Sequence, residues 1–159
     1  MRRLALLAAA AVTLVACSGD DDGGDRAGLP DMTLDALDGD GSPLHLRAMT
    51  GPAVLNLWAT WCAPCREELP AFQEVSASRD DVRFIGVNSK ETGAARKFLD
   101  ELGVTYEQYV DARGDLAEAL GAAALPVTLV VDVDGTIATE HLGPMSVADL
   151  EDALEDVAG

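Results

Sequence analysis

The chain has 159 residues, of which 48% are hydrophobic, enough to bury one compact core but not comfortably two. Its 28 acidic residues outnumber 11 basic ones and give a formal charge of −17, which excludes the basic surface that nucleic-acid binding requires. The acidic residues are scattered along the chain, so the charge by itself indicates solubility rather than a particular partner.

The first residues have the pattern of an export signal. Arg2 and Arg3 precede the uncharged run 4–16, which as a helix spans about 20 Å, short of the roughly 30 Å hydrocarbon core that a membrane span crosses. The run ends in LVAC, which resembles the lipobox of bacterial lipoproteins. The resemblance implies a signal peptide over 1–16 and a lipid on the sulfur of Cys17. An ordinary cleavage site with an unmodified Cys17 is the alternative.

A flexible acidic tether is predicted over residues 17–28, because this segment is rich in glycine, serine and aspartate and has too few apolar side chains to order itself. The folded domain is predicted over 29–159. It opens with two alternating segments, MTLDAL and PLHLRAM, on either side of the turn signal DGDG. This arrangement predicts an N-terminal β-hairpin.

The next segments alternate between apolar strands and amphipathic helices. PAVLNLWAT and VRFIGVN are typical of buried strands, and PVTLVVDVDGTIATEHLG predicts a hairpin that turns at Asp134-Gly135. Helices are predicted from about residue 63, in ETGAARKFLDELG up to Gly103, in DLAEALG, and in SVADLEDALEDVA, which Ser146 caps. The alternation indicates an α/β fold, in which helices cover both faces of a mixed sheet.

Cys62 and Cys65 stand in the segment WATWCAPCREELP, at the junction of a strand and a helix. The spacing places them one helical turn apart, close enough to form a disulfide, and the helix N-terminus favours an exposed Cys62 thiolate. A bridge across so short a loop is a poor structural staple. A zinc or copper site would need further ligands, and His45 and His141 are far away in sequence. Redox exchange is therefore favoured over metal carriage, with no cofactor and no metal.

Four features together resemble the thioredoxin family, in its extracytoplasmic TlpA/ResA branch. They are VLNLWATWCAPCREELP, LPVTLVVD, the following VDGTI, and an extra helix and strand between residues 89 and 121. The resemblance covers residues 29–159. It implies a thioredoxin fold, whose central mixed sheet is flanked by helices on both faces and carries an N-terminal hairpin and an inserted helix and strand.

The resemblance also assigns roles to single residues. Pro126 is expected to follow a cis peptide bond and face the nucleophile, and Leu125 to offer its backbone to an extended substrate. Trp61 is expected to form an apolar wall for substrate, or only to pack. Glu68 is expected either to modulate the thiols as their proton acceptor or to be a solvated surface acid. Asn56 stands where cytosolic thioredoxins have a buried aspartate.

The interpretation is a lipid-anchored thiol–disulfide oxidoreductase on the outer face of a bacterial cytoplasmic membrane. Cys62 would be the nucleophile and Cys65 the resolving thiol, acting on cysteine-containing exported proteins. Within the branch, reduction with electrons from an integral-membrane thiol donor, often for cytochrome c maturation, is the expected direction. A disulfide-forming oxidase, a copper-delivery protein and a non-enzymatic binding module are the alternatives. The chain is expected to be a monomer.

Overall fold

The computed structural model describes residues 27–90, 93–155 and 157. Cys17, the predicted signal peptide and most of the predicted tether lie outside this part of the chain. The strands are β1 (Thr33–Ala36), β2 (Leu44–His45), β3 (Ala53–Trp58), β4 (Arg83–Ser89), β5 (Glu107–Asp111), β6 (Val127–Val131) and β7 (Ile137–Leu142). The helices are α1 (Ala63–Ser76), α2 (Ala95–Leu102), α3 (Asp115–Ala119) and α4 (Val147–Glu155). Within the described ranges, no helix is long and apolar enough to cross a membrane.

The strands form one mixed sheet in the order β2-β1-β5-β4-β3-β6-β7. β3, β4 and β5 are parallel neighbours, whereas β6 runs antiparallel to β3 and β7 antiparallel to β6. The sheet pairing begins before the predicted start of the domain, because the Ile137 N–H donates to the Ala27 carbonyl and Gly28 bridges to Thr136. The predicted α/β thioredoxin fold is confirmed.

Alternate residues of β3 send side chains to opposite faces of the sheet, as its period of two requires. Leu55 and Leu57 pack on one face with Leu116 of α3. On the other face Val54 packs with α1 and α4, and Trp58 packs with α1 and α2. All six residues of β3 are buried, which explains why its sequence is an almost continuous apolar run.

The N-terminal hairpin is present, but its second strand is shorter than the alternating pattern predicts. β2 has two residues and is followed by a 3₁₀ helix over Leu46–Ala48. Leu46 and Met49 are both buried. A spacing of three residues places both side chains on one side of a 3₁₀ turn, whereas a strand would place them on opposite faces. The burial of this pair therefore ends the strand.

The predicted Gly103 helix stop, the Ser146 helix start and the second hairpin are observed, whereas α2 begins only at Ala95, later than the start of the predicted helical segment. Gly103 follows α2 with a left-handed φ of 68° and closes the helix as its predicted stop. Gly135 has a φ of 85° at the tip of the β6–β7 hairpin. The Ser146 hydroxyl accepts a hydrogen bond from the Asp149 N–H, and the Asp149 carboxylate accepts one from the Ser146 N–H. A capping box therefore starts α4.

Candidate active site

Cys62 and Cys65 form a disulfide at the start of α1, with 5.3 Å between their Cα atoms. Cys62 is the N-cap of the helix and has extended backbone, and its Sγ accepts a hydrogen bond of 3.2 Å from the Cys65 N–H. Pro64 stands in the first turn, where a missing N–H costs nothing. The Cys62 sulfur therefore lies where free helix N–H groups favour negative charge.

A surface groove of about 470 Å³ opens beside the disulfide. Its lining includes Trp61, Cys62, Pro64, Lys90, Leu125 and the alanines of 122–124. Cys62 is only 4% exposed and Cys65 is fully buried. The prediction of an exposed Cys62 is therefore wrong for this disulfide form. Cys62 still reaches the groove and Cys65 does not line it.

The Leu125–Pro126 peptide bond is cis, as predicted. Pro126 is buried directly before β6, and its carbonyl accepts a hydrogen bond from the Gly143 N–H. Leu125 is partly buried and lines the groove opposite α1. The chain thus brings Leu125 to the same surface groove as Cys62, although 62 residues separate them in sequence.

The two tryptophans next to the disulfide have opposite surroundings. Trp61 is 65% exposed and lines the groove, which contradicts the alternative that it only packs. Trp58 is fully buried and stacks on Phe98, with 5.4 Å between the ring centroids. Its indole N–H donates to the Gln108 side chain at 3.0 Å. Trp58 therefore anchors the strand end that leads into the active-site turn.

Glu68 lies one turn after Cys65 and is 2% exposed, so the alternative of a solvated surface acid is wrong. Its Oε1 accepts a hydrogen bond of 2.8 Å from the Asn56 amide, and its Oε2 accepts one of 3.1 Å from the Met145 N–H. The Asn56 amide also donates to the Thr128 hydroxyl on the neighbouring strand. Loss of hydration raises the pKa of Glu68 to about 7, although both hydrogen bonds oppose the shift.

Lys90 forms part of the groove wall and follows β4 directly. It has a φ of 64°, in the left-handed region that residues other than glycine rarely adopt. Its N–H donates to the Asp111 carbonyl, and the Asp111 carboxylate accepts the N–H groups of residues 115, 116 and 117 at the start of α3. One buried aspartate therefore holds Lys90 and α3, which form neighbouring parts of the wall.

The comparisons with known proteins agree with this geometry. The family model described as Redoxin matches residues 23–154. The chain belongs to the Redoxin family. It is 32% identical to the thioredoxin-like protein YneN of Bacillus subtilis over 131 residues, 79% of this chain and 76% of YneN. It is 29% identical to the thiol-disulfide oxidoreductase ResA of Halalkalibacterium halodurans over 134 residues, 82% of this chain and 76% of that protein.

A solved structure gives the same result for this Redoxin-family chain. A secreted disulfide oxidoreductase of Mycobacterium tuberculosis, homologous to DsbE of E. coli, superposes with a TM-score of 0.71. The two are 25% identical, and the match covers 79% of this chain and 96% of that one. The protein is accordingly a thiol–disulfide oxidoreductase of the ResA and DsbE type, with Cys62 and Cys65 as its close cysteine pair.

The fold brings together most of the residues that the sequence singled out, and adds one. Trp61, Cys62 and Leu125 line one groove, whereas Cys65 and Glu68 lie buried in α1 beneath it. The His45 Nδ1 atom lies 2.7 Å from the Thr33 hydroxyl oxygen, and His141 lies on β7. In the described ranges, no group of three or more His, Cys, Asp or Glu residues could hold a metal ion.

Lys90 is the functional candidate that the sequence analysis missed. Its left-handed backbone has no signature in the sequence, because a lysine is not a residue that usually marks this conformation. A positional signal was present: Lys90 directly follows a buried central strand, and the carboxyl ends of parallel strands are where α/β proteins bind ligands. Applying that rule to β4 would have identified it.

Proposed function

We propose that this protein is a lipid-anchored, extracytoplasmic oxidoreductase that exchanges disulfides with exported proteins and works as a reductant. The observation that carries the proposal is the Cys62–Cys65 disulfide beside a groove that also includes Leu125 and the exposed Trp61. A structural staple needs no such opening. A cysteine pair that exchanges with a protein substrate needs an opening, because the partner's sulfur must approach Cys62 in line with the bond that breaks.

The exchange takes two steps when the reduced protein meets a substrate disulfide. The Cys62 thiolate attacks one substrate sulfur, a mixed disulfide forms, and the other substrate sulfur leaves as a thiolate. The Cys65 thiolate then attacks the Cys62 sulfur and releases the second substrate thiolate. Two electrons pass to the substrate, and the protein is left with the Cys62–Cys65 bond that the structure contains.

Glu68 is proposed to accept the proton that Cys65 must lose before the second step. It is three residues further along α1 and is buried with Cys65 inside the fold. A carboxyl group whose pKa is about 7 gains and loses protons near neutral pH, which suits a proton acceptor for a thiol. Asn56, being neutral, holds Glu68 in place rather than taking the proton.

The substrate is proposed to bind as an extended segment against Leu125. Backbone pairing beside the cis peptide would add a short strand at this edge, and Trp61 would cover the substrate's apolar atoms from the opposite side. Such a site recognises backbone and shape more than a long sequence motif. This suits a protein that acts on cysteine pairs in several exported partners.

The location rests on the N-terminal sequence, in which Cys17 follows a signal-like run, and on the secreted relative with the same fold. Two or more acyl chains would anchor the protein firmly, and residues 17–28 would form the tether. Cys17→Ala should move the protein from the membrane fraction to the soluble exported fraction. An unchanged membrane fraction would contradict the anchor, and Ser18→Ala is the matched control.

The direction of electron flow is proposed to be reduction, with an integral-membrane thiol carrier as donor and cytochrome c maturation as one use. Equilibration of the purified protein in dithiothreitol and glutathione buffers measures the reduction potential of the cysteine pair. A strongly negative potential supports the reductant. A potential nearer those of strong oxidants would instead support a disulfide-forming oxidase.

Covalent capture of partners tests the exchange itself. Cys65→Ser leaves Cys62 able to form a mixed disulfide that cannot be resolved, so exported partners should accumulate on it in non-reducing gels. The Cys62→Ser, Cys65→Ser double variant is the control and should capture none. If Cys65→Ser captures no more than the double variant, the protein does not exchange disulfides with exported proteins.

A further inference from the structure

The active-site groove is lined mostly by apolar side chains, with Ser89 and Lys90 as its aliphatic polar residues. Lys90 is the only charged residue among the described residues that line it. Apart from Lys90 and the neutral Ser89, the wall beyond α1 includes Ala117, Leu125 and the alanines of 122–124, whose side chains offer no partner for a charged substrate group. Among these lining residues, only Lys90 therefore offers a full opposite charge to an anionic group that enters the groove.

The backbone of Lys90 and its packing fix where this charge lies. The left-handed φ of 64° turns the side chain at the end of β4, and the N–H hydrogen bond to the Asp111 carbonyl, 3.0 Å, holds that turn. The aliphatic stem lies over Gly114, where a Cβ atom would be 2.1 Å from Lys90 Cε. A strained backbone that persists at the rim of a site points to a functional reason for the position.

Lys90 also forms no ion pair with a carboxylate in the described part of the chain. The described ranges contain eight basic residues, and six of them form ion pairs with described carboxylates. Lys90 and Arg47 pair with no carboxylate in that part of the chain. In a protein of formal charge −17, one cation facing the groove has the opposite sign to the molecule as a whole.

We propose that Lys90 is a specificity-determining residue, which selects cysteine-containing segments with an aspartate or glutamate beside the reacting cysteine. The inference rests on the proposed function, because it describes the substrate of that same groove. A carboxylate next to the substrate cysteine pairs with the Lys90 ammonium, whereas a lysine there is repelled. Small apolar residues on the other side of the cysteine fit the alanine wall.

Model peptides test this selection. Each peptide is a symmetric disulfide dimer. The three peptides differ only in the residue next to the cysteine, which is Asp, Asn or Lys. The pre-reduced protein, freed of reductant, donates two electrons to each dimer, releases two peptide thiols and ends as the Cys62–Cys65 disulfide. Single-turnover rates at low ionic strength give a second-order constant for each peptide. We expect the Asp peptide to react about 3- to 10-fold faster than the Asn peptide.

Variants of Lys90 assign the preference to its side chain. In Lys90→Met the Asp-to-Asn ratio should fall to about 1, in Lys90→Glu the Lys peptide should become the fastest, and Lys90→Arg should keep the ratio. Lys97→Met, which removes the other lysine of the chain at an 84% exposed position outside the groove, should keep it too. The ratio between peptides cancels any effect of Lys90 on Cys62 itself.

Each outcome separates the inference from the proposed function. Equal rates for the Asp and Asn peptides in the wild type, or an unchanged ratio in Lys90→Met, overturn the selection by Lys90 while the exchange activity stands. If the wild type reduces none of the three peptides and Cys65→Ser captures none of them, the proposed function fails instead. Thermal unfolding of Lys90→Met and Lys90→Glu shows that the compared proteins are folded.

Discussion

Glu68 is a carboxyl group that the fold removes from water without giving it a cation. Its partners are the Asn56 amide and the Met145 N–H, and its pKa rises from 4.5 to about 7 through desolvation. At pH values between 4.5 and about 7, Glu68 therefore binds a proton more readily in the folded protein than in the unfolded chain. The contribution of Glu68 to the free energy of unfolding falls as the pH rises from about 4.5 to about 7, because the carboxyl group ionises less readily in the folded state.

Replacement of Glu68 should remove that pH dependence. In Glu68→Gln the free energy of unfolding should no longer show this decline, which for a shift of this size amounts to about 3 kcal/mol. Urea unfolding at pH values from 4.5 to 8 measures it, with the exposed Glu67→Gln as control. Parallel curves for the wild type and Glu68→Gln would contradict the raised pKa.

The proposed role of Glu68 as proton acceptor predicts a separate effect on rate. Only ionised Glu68 can accept the Cys65 proton, so resolution of the mixed disulfide should accelerate as the pH rises through about 7. Glu68→Gln should lose this inflection and slow resolution at pH 7.5 by about tenfold or more. Glu67→Gln should resemble the wild type in a stopped-flow assay. Equal rates in the two variants would show that Glu68 takes no part in the proton transfer.

For single residues, the sequence predicted those features that a short motif or one helix determines. The spacing of Cys62 and Cys65 gave the disulfide, and the family pattern around Pro126 gave the cis bond. The burial of Glu68 could not be decided, because the atoms that enclose it come from β3 and from the segment before α4. Contacts between segments so far apart leave no local pattern.

Among the elements, α4 shows how a short cap positions a distant group. Ser146 and Asp149 satisfy each other's N–H groups at the helix start, and Leu150 and Leu154 anchor the helix in the core. The residue directly before the cap, Met145, donates its N–H to Glu68. The start of α4 therefore contributes to the surroundings of the active-site carboxyl group.

Removal of the cap should weaken the whole domain by a modest amount. Ser146→Ala loses the hydroxyl acceptor for the Asp149 N–H and should lower the free energy of unfolding by about 1 kcal/mol. Ser42→Ala, in the exposed turn between β1 and β2, is the matched control and should change little. Equal stabilities of the two variants in urea would show that the capping box contributes nothing.

Elements were predictable where one local signal was sufficient. The apolar runs of β3 and β4, the Asp134-Gly135 turn and the Gly103 stop correspond to observed strands, a hairpin and a helix end. The short β2 was not, since the alternation in PLHLRAM suits a strand as well as a turn that buries Leu46 and Met49. Tertiary packing decided between the two.

For the whole molecule, net charge should outweigh individual ion pairs. The ion pairs found in the described ranges lie on partly or fully exposed side chains, where each contributes little, whereas a formal charge of −17 repels itself throughout the chain. Sodium chloride screens both. The repulsion is the larger effect because it involves many more charges than these pairs do.

Salt should therefore stabilise this protein at neutral pH. Raising sodium chloride from 10 to 300 mM shortens the screening length roughly 5.5-fold and should raise the melting temperature by a few degrees at pH 7.5. Near the sequence isoelectric point of about 4.1 the same addition should have little effect or lower it. Melting curves at both pH values measure the difference. A fall in melting temperature at pH 7.5 would show that the ion pairs dominate.

Asp111 holds two neighbouring parts of the groove wall. The backbone oxygen of this 4% exposed residue holds Lys90, and its carboxylate holds the first N–H groups of α3. Because one residue anchors both, we expect Lys90 and the start of α3 to keep a fixed spacing when a substrate binds. Substrates would then be selected by whether they fit the existing shape of the groove, and a substitution of Asp111 would free Lys90 and α3 together.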